Sequence, residues 1–329
     1  MYILALIAAA AAATTTPVPV PGGEGGIGFD DLVFSPRLHR LIVPGGRTGN
    51  LDLLDPATRE FTAISGFSKE SKFGGGHGEG TTSADEGRGL LFASDRSKRL
   101  LVVVDPAKRA VVASAKLDAV PDYVRFVPPT DEVWITEPGA EQIEVFSLPK
   151  EGAPALTRVG VVHVAGGPES LVIDARRDRA YTHLWKAATV AIDLHAHAIA
   201  GQWQNGCEGS RGIAVDEERA LLFAGCREGK ATAMDLRRGG VVVSTEPTGK
   251  GVDVIAYSPQ LHHLYVAGAD SATMTVIAVS AGGKLSAVAT VPTAKGAHCV
   301  AADDQGGAWV CDPDRGRLLV YQDAQAQQR

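Results

Sequence analysis

The sequence predicts an all-β fold, a seven-bladed β-propeller built of four-stranded antiparallel blades. Two observations predict it. First, short apolar runs rich in Val, Leu, Ile and Ala are separated by turn residues, and the 329 residues include 38 Gly and 18 Pro without a period. Runs of this length are typical of strands, and no segment offers an amphipathic helix of normal length. Second, the runs recur at a nearly constant interval along the chain.

Each repeat contains four runs. In the first unit they read FDDLVFSP, RLHRLIVP, NLDLLDP and EFTAISGF. We aligned the units on the position five residues before the Asp, Ser or Val that ends the first run. The mean spacing is about 45 residues, the size of a four-stranded propeller blade. Seven such units make one ring, so residues 14–329 are predicted to form a single domain. The aligned positions are Asp30, Gly80, Asp122, Glu169, Arg211, Asp253 and His298.

The ring is predicted to close through the N-terminal segment. The seventh unit shows only three apolar runs, CVAAD, AWVCD and RLLVYQD, and its tail AQAQQR is too polar for a fourth strand. Residues 14–22, TTTPVPVPG, resemble the fourth run of unit six and are expected to supply the missing outer strand near Val18 and Val20. Prolines suit an edge strand because its outward N–H groups need no partner in the sheet. The alternative is a flexible linker.

The first residues indicate export. Residues 1–13, MYILALIAAAAAA, resemble the apolar region and Ala-rich cleavage site of a signal peptide, although no Lys or Arg precedes them. The alternative is a disordered apolar tail. The stretch is too short to span a bilayer, and no later segment approaches the roughly 18 apolar residues that a membrane span needs. The sequence therefore predicts a periplasmic or secreted protein with no membrane span in the mature chain.

Composition bears on the choice of partner. The net charge is −6 and no basic run is present, so duplex nucleic acid is not expected to bind. The charged and apolar fractions, 21% and 45%, are those of a globular protein rather than a disordered one. We expect a monomer whose partner is a small molecule or another protein.

The third and fourth runs carry a recurrent pattern, seen as LDLLDPATREFTAI, LLVVVDPAKRAVVAS and TVAIDLHAHAIAGQ. This pattern resembles the YncE-like, or YVTN-repeat, β-propeller family, and the resemblance extends over all seven units. Two units depart from it, because Phe146 and Ala278 stand where Asp is usual. No Trp precedes an Asp, so the WD40 signature is missing. Members of the family bind diverse molecules and several lack a known activity, so the resemblance implies the fold and a non-catalytic role.

The four cysteines are expected to form two disulfides. Cys207 and Cys226 lie about equally far from the predicted turn of unit five, and Cys299 and Cys311 are placed in a comparable way in unit seven. This symmetry favours the pairs 207–226 and 299–311 among three possible connectivities. An exported protein keeps such bonds oxidised. A four-Cys metal site is the alternative, although the C-x-x-C spacing of such sites is missing, and no C-x-x-C-H motif offers covalent haem attachment.

Chemistry is predicted at one mouth of the central channel. The first strand of each blade lines the channel, and the loop before it opens on the same face as the loop between the second and third strands. Six of the seven aligned positions are ionisable, whereas a merely packed channel would carry apolar residues. The alternative is a wet channel whose polar residues only solvate the opening. The predicted ligand-binding residues are Asp30, Glu79, Asp122, Arg125, Glu169, His183, Trp185, Glu208, Arg211, Asp253 and His298.

Two functions fit this mouth. The first is a non-catalytic propeller that binds a ligand or a protein partner, with Arg211 as the anchor for an anionic ligand. The second is a metal-assisted hydrolase, such as a lactonase or esterase, with His77 or His298 as general base. A divalent metal, with Ca²⁺ the candidate, would then be held by carboxylates. Its ligands would be Asp30, Asp122, Glu169 and Asp253. No G-x-S-x-G, Walker or H-E-x-x-H motif is present, so the sequence leaves catalysis open.

Overall fold

Twenty-eight strands form seven antiparallel four-stranded sheets over residues 13–326, which are the residues that this computed structural model describes. Each sheet is one blade. The first strands of neighbouring blades contact each other all the way round, so the ring is closed. The predicted seven-bladed propeller is confirmed. Most of the predicted signal peptide, residues 1–12, lies outside the described residues.

The strands are numbered in chain order. Blade 1 comprises β2 to β5, which are Val33–Ser35, Arg40–Pro44, Asn50–Leu54 and Phe61–Ser65. Blade 2 comprises β6 to β9, which are Ala84–Gly87, Leu90–Asp95, Leu100–Asp105 and Ala110–Lys116. Blade 3 comprises β10 to β13, which are Val124–Val127, Glu132–Glu137, Gln142–Ser147 and Thr157–His163. Blade 4 comprises β14 to β17, which are Val172–Asp174, Arg179–His183, Ala188–Asp193 and Ala198–Gln204.

The remaining blades follow the same order, except that the last one takes its outer strand from the beginning of the chain. Blade 5 comprises β18 to β21, which are Ser210–Asp216, Leu221–Cys226, Lys230–Asp235 and Val241–Pro247. Blade 6 comprises β22 to β25, which are Val252–Ser258, His263–Gly268, Thr273–Val279 and Leu285–Pro292. Blade 7 comprises β26 to β28 and β1, which are Val300–Ala302, Gly307–Asp312, Arg317–Gln322 and Thr16–Pro19. Short 3-10 helices occur at Pro138–Ala140, Ala175–Arg177, Leu236–Arg238 and Pro313–Arg315.

The core lies between the blades. The second strands β11, β19, β23 and β27 are buried at every residue, because both faces of these strands pack inside the ring. Their sequences are mostly apolar, although β11 also buries Glu132, Thr136 and Glu137. The outer strands alternate between exposed and partly buried residues instead. This gradient explains why the apolar runs of each repeat differ in hydrophobicity along the unit.

The N-terminal strand closes the ring, as predicted. Strand β1 pairs antiparallel with β28, with Thr16 opposite Val320 and Pro19 opposite Arg317. Val18 faces inward and is buried, whereas both prolines of the strand are exposed at the outer edge. The prolines leave that edge without two N–H donors, which discourages pairing with another chain.

The other outer edges are protected in a different way. In blades 2 to 6 the outer strand takes one extra residue opposite the third strand, which gives a β-bulge at nearly the same place in each blade. Bulges twist an edge and interrupt its hydrogen-bonding pattern. Blade 1 pairs its outer strand β5 without such a shift. The bulged edges make the circumference of most blades a poor template for sheet extension.

One sequence alignment was wrong by two residues. We placed Gly80 at the aligned position of unit two, taking Asp85 as the end of the first strand. In the structure β6 runs on to Gly87 and pairs it with Leu90. The residue equivalent to the aligned positions of the other blades is therefore Thr82, which is buried and has its hydroxyl 3.2 Å from that of Ser94. The error arose because β6, with the sequence ADEG, has no apolar run to mark its end.

The cysteine pairing is confirmed. Cys207 is bonded to Cys226, and Cys299 is bonded to Cys311. Each bond joins the segment that enters a first strand to the second strand of the same blade. Because the two pairs lie in different blades, 5 and 7, they do not form the alternative four-Cys metal site. Among residues 13–326 no helix is long and apolar enough to cross a membrane.

Ring closure can be tested with two substitutions in one strand. Val18→Asp places a charge at a buried position of β1, and Thr16→Asp places the same charge at an exposed position. Burying an unpaired charge costs several kcal/mol, so Val18→Asp should lower the Tm by roughly 5 °C or more. Thr16→Asp should change the Tm by about 1 °C at most. Equal melting temperatures in calorimetry, or an unchanged Tm after deletion of residues 14–22, would contradict the closing role.

The disulfides can be tested by peptide mapping without reduction. The mapping should recover 207 linked to 226 and 299 linked to 311. The closed loops span 19 and 12 residues. The chain-entropy estimate for loops of this size is about 3 kcal/mol per bond. The Cys207→Ser/Cys226→Ser double variant should therefore unfold at a lower denaturant concentration than the wild type. Four free thiols in protein purified without reductant would overturn this assignment.

Candidate functional site

The loops before the first strands and those between the second and third strands surround one mouth of the channel. Two cavities open there. The large mouth cavity, about 420 Å³, lies between blades 5, 6 and 7 and residues 73–77. The small mouth cavity, about 340 Å³, lies between residues of blades 2 to 5. His77 and Arg211 line both cavities, so the two adjoin.

Five of the aligned residues meet at this mouth. Asp122 and Glu169 line the small mouth cavity, Asp253 and His298 line the large one, and Arg211 lines both. Side chains at one offset of equivalent strands share a direction, and the symmetry of the blades brings them to one depth. The polar positions of the repeat therefore converge as the alignment predicts.

Asp30 lies just behind this lining and is held by two cations. Its carboxylate is 2.8 Å from Nδ1 of His77 and 4.0 Å from the Arg96 guanidinium. Burial alone would raise the pKa of Asp30, but the charges of His77 and Arg96 outweigh it and hold the pKa below the ordinary 3.8. The charge of the Asp30 carboxylate, so close to Nδ1, in turn raises the pKa of His77 to about 9. At neutral pH, His77 is therefore an imidazolium and not a general base.

The pKa values of the other three carboxyl groups, those of Asp122, Glu169 and Asp253, are raised instead. Burial, followed by the charge of Asp30, raises the pKa of Asp122 to about 7 although Arg96 lies 2.5 Å away. Burial and the charge of Asp122 raise the pKa of Glu169 to about 9. Burial also raises the pKa of Asp253. A protonated carboxyl group donates a hydrogen bond as well as accepting one. In that form these side chains offer a ligand both donors and acceptors.

Arg211 is the central cation of the mouth. It projects from β18, with Nε 3.3 Å from Glu169 and Nη1 donating to the carbonyl of Ser210 at 2.9 Å. The guanidinium carbon lies 6.0 Å from the centroid of the Trp185 ring. Among the described residues, Nη2 has no hydrogen-bond partner. These N–H groups are left to a ligand in either cavity.

His298 is fixed by backbone carbonyls. Its Nδ1 lies 2.7 Å from the oxygen of Gly296, and its Nε2 lies 2.9 Å from the oxygen of Phe29. Both ring nitrogens are therefore within hydrogen-bond distance of a carbonyl oxygen. The ring also meets His77 edge to face, at 5.7 Å between centroids. Neither histidine presents a free basic nitrogen to the mouth.

The glycine-rich segment FGGGHGEG, residues 73–80, carries His77 to the mouth. Gly75 and Gly76 line the large mouth cavity, and both have positive φ, +86° and +67°. The N–H groups of residues 71–79 donate no hydrogen bond to any described residue. Backbone N–H groups that are not used within the protein can bind an anion where they face a cavity. Of this segment, Phe73, Gly75, Gly76 and His77 line the large mouth cavity.

Besides Asp30, four predicted ligand-binding residues lie outside these cavities. His183 is fully buried beside Thr189, and burial lowers its pKa to about 4. Arg125 is deeper in the channel, where its guanidinium forms two hydrogen bonds to Asp31 beside a separate cavity of about 220 Å³. Glu208 is exposed, and Glu79 lines neither mouth cavity. The fifth loop residue, Trp185, lines the small mouth cavity.

Sequence reasoning missed two cations of the mouth. Arg96 follows β7 and lies between Asp30 and Asp122, and Arg227 follows β19 and lines the large cavity. Both immediately follow the second strand of a blade. Aligning the repeats on the end of the second strand, as well as on the first strand, would have identified both arginines.

The residues at the mouth do not fit a divalent metal. Asp30 is paired with His77 and Arg96, and Asp122 is paired with Arg96, so protein cations already occupy two of the four candidate ligands. Among the described residues, the groups of three potential ligand atoms within 4.8 Å of one another contain disulfide-bonded cysteines and none of these carboxylates. Within residues 13–326 these carboxylates therefore do not form the ligand cluster that a metal-assisted hydrolase needs.

Comparison with known proteins identifies the fold. No protein-family model and no curated protein matches the chain. Hydrazine synthase of Kuenenia stuttgartiensis is 13% identical with a TM-score of 0.74, over 92% of this chain and 96% of that one. A chain of the mitotic checkpoint complex is 12% identical with a TM-score of 0.77, over 98% and 99%. The Cps50 (Swd1) β-propeller domain of Myceliophteria thermophila is 10% identical with a TM-score of 0.73, over 94% and 99%. At such identities the likeness shows the β-propeller fold alone.

The Asp30–His77 pair predicts a specific titration. In NMR the His77 ring should titrate near pH 9, and Asp30→Asn should move the midpoint down towards the ordinary 6.5. Because the pKa of His77 is raised in the folded state, the pair stabilises the fold fully below pH 6.5 and loses this effect as the pH rises through 9. The side chain is 39% exposed, so solvent screening reduces the gain.

A matched control is Asp304→Asn, which removes the carboxylate beside His39, also at 2.8 Å, and should leave the His77 midpoint unchanged. A wild-type midpoint close to 6.5 would show that Asp30 does not hold His77 at the mouth.

Proposed function

We propose that this chain is an exported, non-catalytic propeller of the YncE-like kind that binds a small anionic ligand at its channel mouth. The observation that carries the proposal is the position of Arg211, which lines both mouth cavities and whose Nη2 has no hydrogen-bond partner within residues 13–326. A guanidinium recognises carboxylate and phosphate groups through paired, charge-assisted hydrogen bonds. The concave shape of the mouth favours a small molecule over a flat protein surface.

The surroundings of Arg211 support the same ligand chemistry. The protonated His77 lines the large mouth cavity, and so do Gly75 and Gly76, whose N–H groups donate no hydrogen bond to a described residue. Arg227 lines this cavity as well and is exposed. The carboxyl groups of Asp253 and Glu169 suit hydroxyl groups on the same ligand. The ligand is therefore a polar molecule with one acid group and several hydroxyl groups.

A binding role accounts for the histidines better than a hydrolase does. A hydrolase needs a free base or a metal-activated water at the mouth. His77 is charged by its pairing with Asp30, and both nitrogens of His298 are engaged by carbonyls. Export is supported by the two disulfides, which persist in oxidising compartments and are rare in the cytosol.

Arg211→Ala tests this proposal. Calorimetric titration at pH 7 with gluconate, an open-chain hydroxy acid, should show a Kd at least tenfold weaker for the variant than for the wild type, since charge-assisted bonds are lost. Arg211→Lys should be intermediate, because it keeps the charge without the planar fork. Arg238→Ala removes an exposed arginine of a 3-10 helix and should bind like the wild type.

Sorbitol, which has the hydroxyl groups but no acid group, should bind no variant measurably. If gluconate and inorganic phosphate both fail to bind the wild-type protein, or if Arg211→Ala binds them equally well, the proposed function is wrong.

A further inference from the structure

Trp185 is an exposed aromatic side chain inside a cavity. It lies on the loop between β15 and β16, lines the small mouth cavity, and is 46% exposed. The exposed indole leaves a large apolar surface in contact with water. Covering this surface with a ligand would be favourable, because burying apolar surface stabilises. The other large exposed hydrophobic residues of the described chain include Val120, 43% exposed, which lines the same cavity.

The lining around Trp185 combines apolar and polar residues. Val120, Pro138 and Gly139 are its apolar members. Asp122 and Glu169 contribute carboxyl groups. An apolar wall with a few convergent polar groups is the usual composition of a small-molecule site. Arg211, near the indole, connects this cavity to the anion-binding side.

We infer that the ligand is a polyhydroxylated ring that carries an acid group, the chemistry of a sugar acid. The apolar face of the ring lies against Trp185, and the ring hydroxyl groups are bound by Asp122 and Glu169. The acid group is bound by Arg211, and in this respect the inference rests on the proposed function. Three contacts define this class of ligand: the indole for the ring, the two carboxyl groups for the hydroxyl groups, and Arg211 for the acid group.

An aromatic acid fits the same cavity less well. Its ring would also stack on the indole, but it has no hydroxyl groups for Asp122 and Glu169. Asp122 is paired with Arg96 and Glu169 lies beside Arg211, but their remaining hydrogen-bonding capacity would lose water without a replacement, which costs free energy. Hydroxyl groups satisfy a carboxyl group in either protonation state, because they both donate and accept. The carboxyl groups of Asp122 and Glu169 therefore favour a ring that carries hydroxyl groups.

Four probes separate the parts of this ligand. Glucuronate has the ring and the acid, glucose has only the ring, gluconate has the acid without the ring, and benzoate has an acid on an aromatic ring. In calorimetric titration of the wild-type protein, glucuronate should bind most tightly. Trp185→Ala should weaken glucuronate about tenfold and leave gluconate unchanged. Trp185→Phe should restore most of the affinity, since it keeps an aromatic face.

The control variant is Ile199→Ala, which removes an exposed hydrophobic side chain from the outer strand β17. It should bind all four probes like the wild type. Because Trp185 is exposed, the alanine variant is expected to keep the Tm of the wild type, so a loss of affinity reports on the site and not on folding.

The other possible results separate the ring contact at Trp185 from the anion site at Arg211. If gluconate binds through Arg211 but Trp185→Ala leaves glucuronate unchanged, the ring contact is overturned and the anion site stands. If benzoate binds as tightly as glucuronate, the hydroxylated ring is overturned in favour of an aromatic one. If glucose binds as tightly as glucuronate and depends on Trp185, the ring contact stands and the anionic ligand of the proposed function is overturned.

Discussion

The pairing of β1 with β28 is the contact on which the propeller depends. Every blade packs its two faces on two neighbours, so an incomplete blade 7 would expose the faces of blades 1 and 6 as well as its own edge. The chain solves this by taking the outer strand of its last blade from its beginning. The segment that follows β1 is held by the buried Arg47, which donates to the carbonyls of Gly26 and Glu24, each at 2.6 Å. The same segment then leads to Asp30 at the channel mouth.

The mouth is stable because its acids and bases come from different blades and meet in pairs. Asp30 of blade 1 meets His77 and Arg96, and Glu169 of blade 4 meets Arg211 of blade 5. Where the compensation is incomplete, as at Glu169, the pKa rises and the carboxyl group stays protonated at neutral pH. Charged and neutral polar groups therefore alternate around the mouth.

The disulfides strengthen the blades that border the large mouth cavity. Cys226 directly precedes Arg227, and Cys299 directly follows His298, so each bond fixes the backbone of a residue that lines this cavity. Blade 6, which contributes Asp253, lies between the two reinforced blades. Opposite them, the glycine-rich segment that carries His77 makes no backbone–backbone hydrogen bond to any described residue over residues 71–79. The mouth therefore combines a rigid side with a side held by side-chain contacts, Asp30–His77 above all.

The repeat pattern alone determined the number of blades, the closing strand and the cysteine pairs, because all three follow from local strand patterns and from distances along the chain. It also determined which first-strand residues face the channel, since side chains alternate with a period of two. It failed in unit two, where the polar strand Ala84–Gly87 hid its own end and displaced the alignment from Thr82 to Gly80. Only the tertiary structure decided the partners: that Arg96 lies between Asp30 and Asp122, that His183 is buried between blades, and that Arg125 pairs with Asp31 deeper in the channel. These contacts join residues from different blades, and their geometry is set by the curvature of the closed ring, which no local pattern encodes.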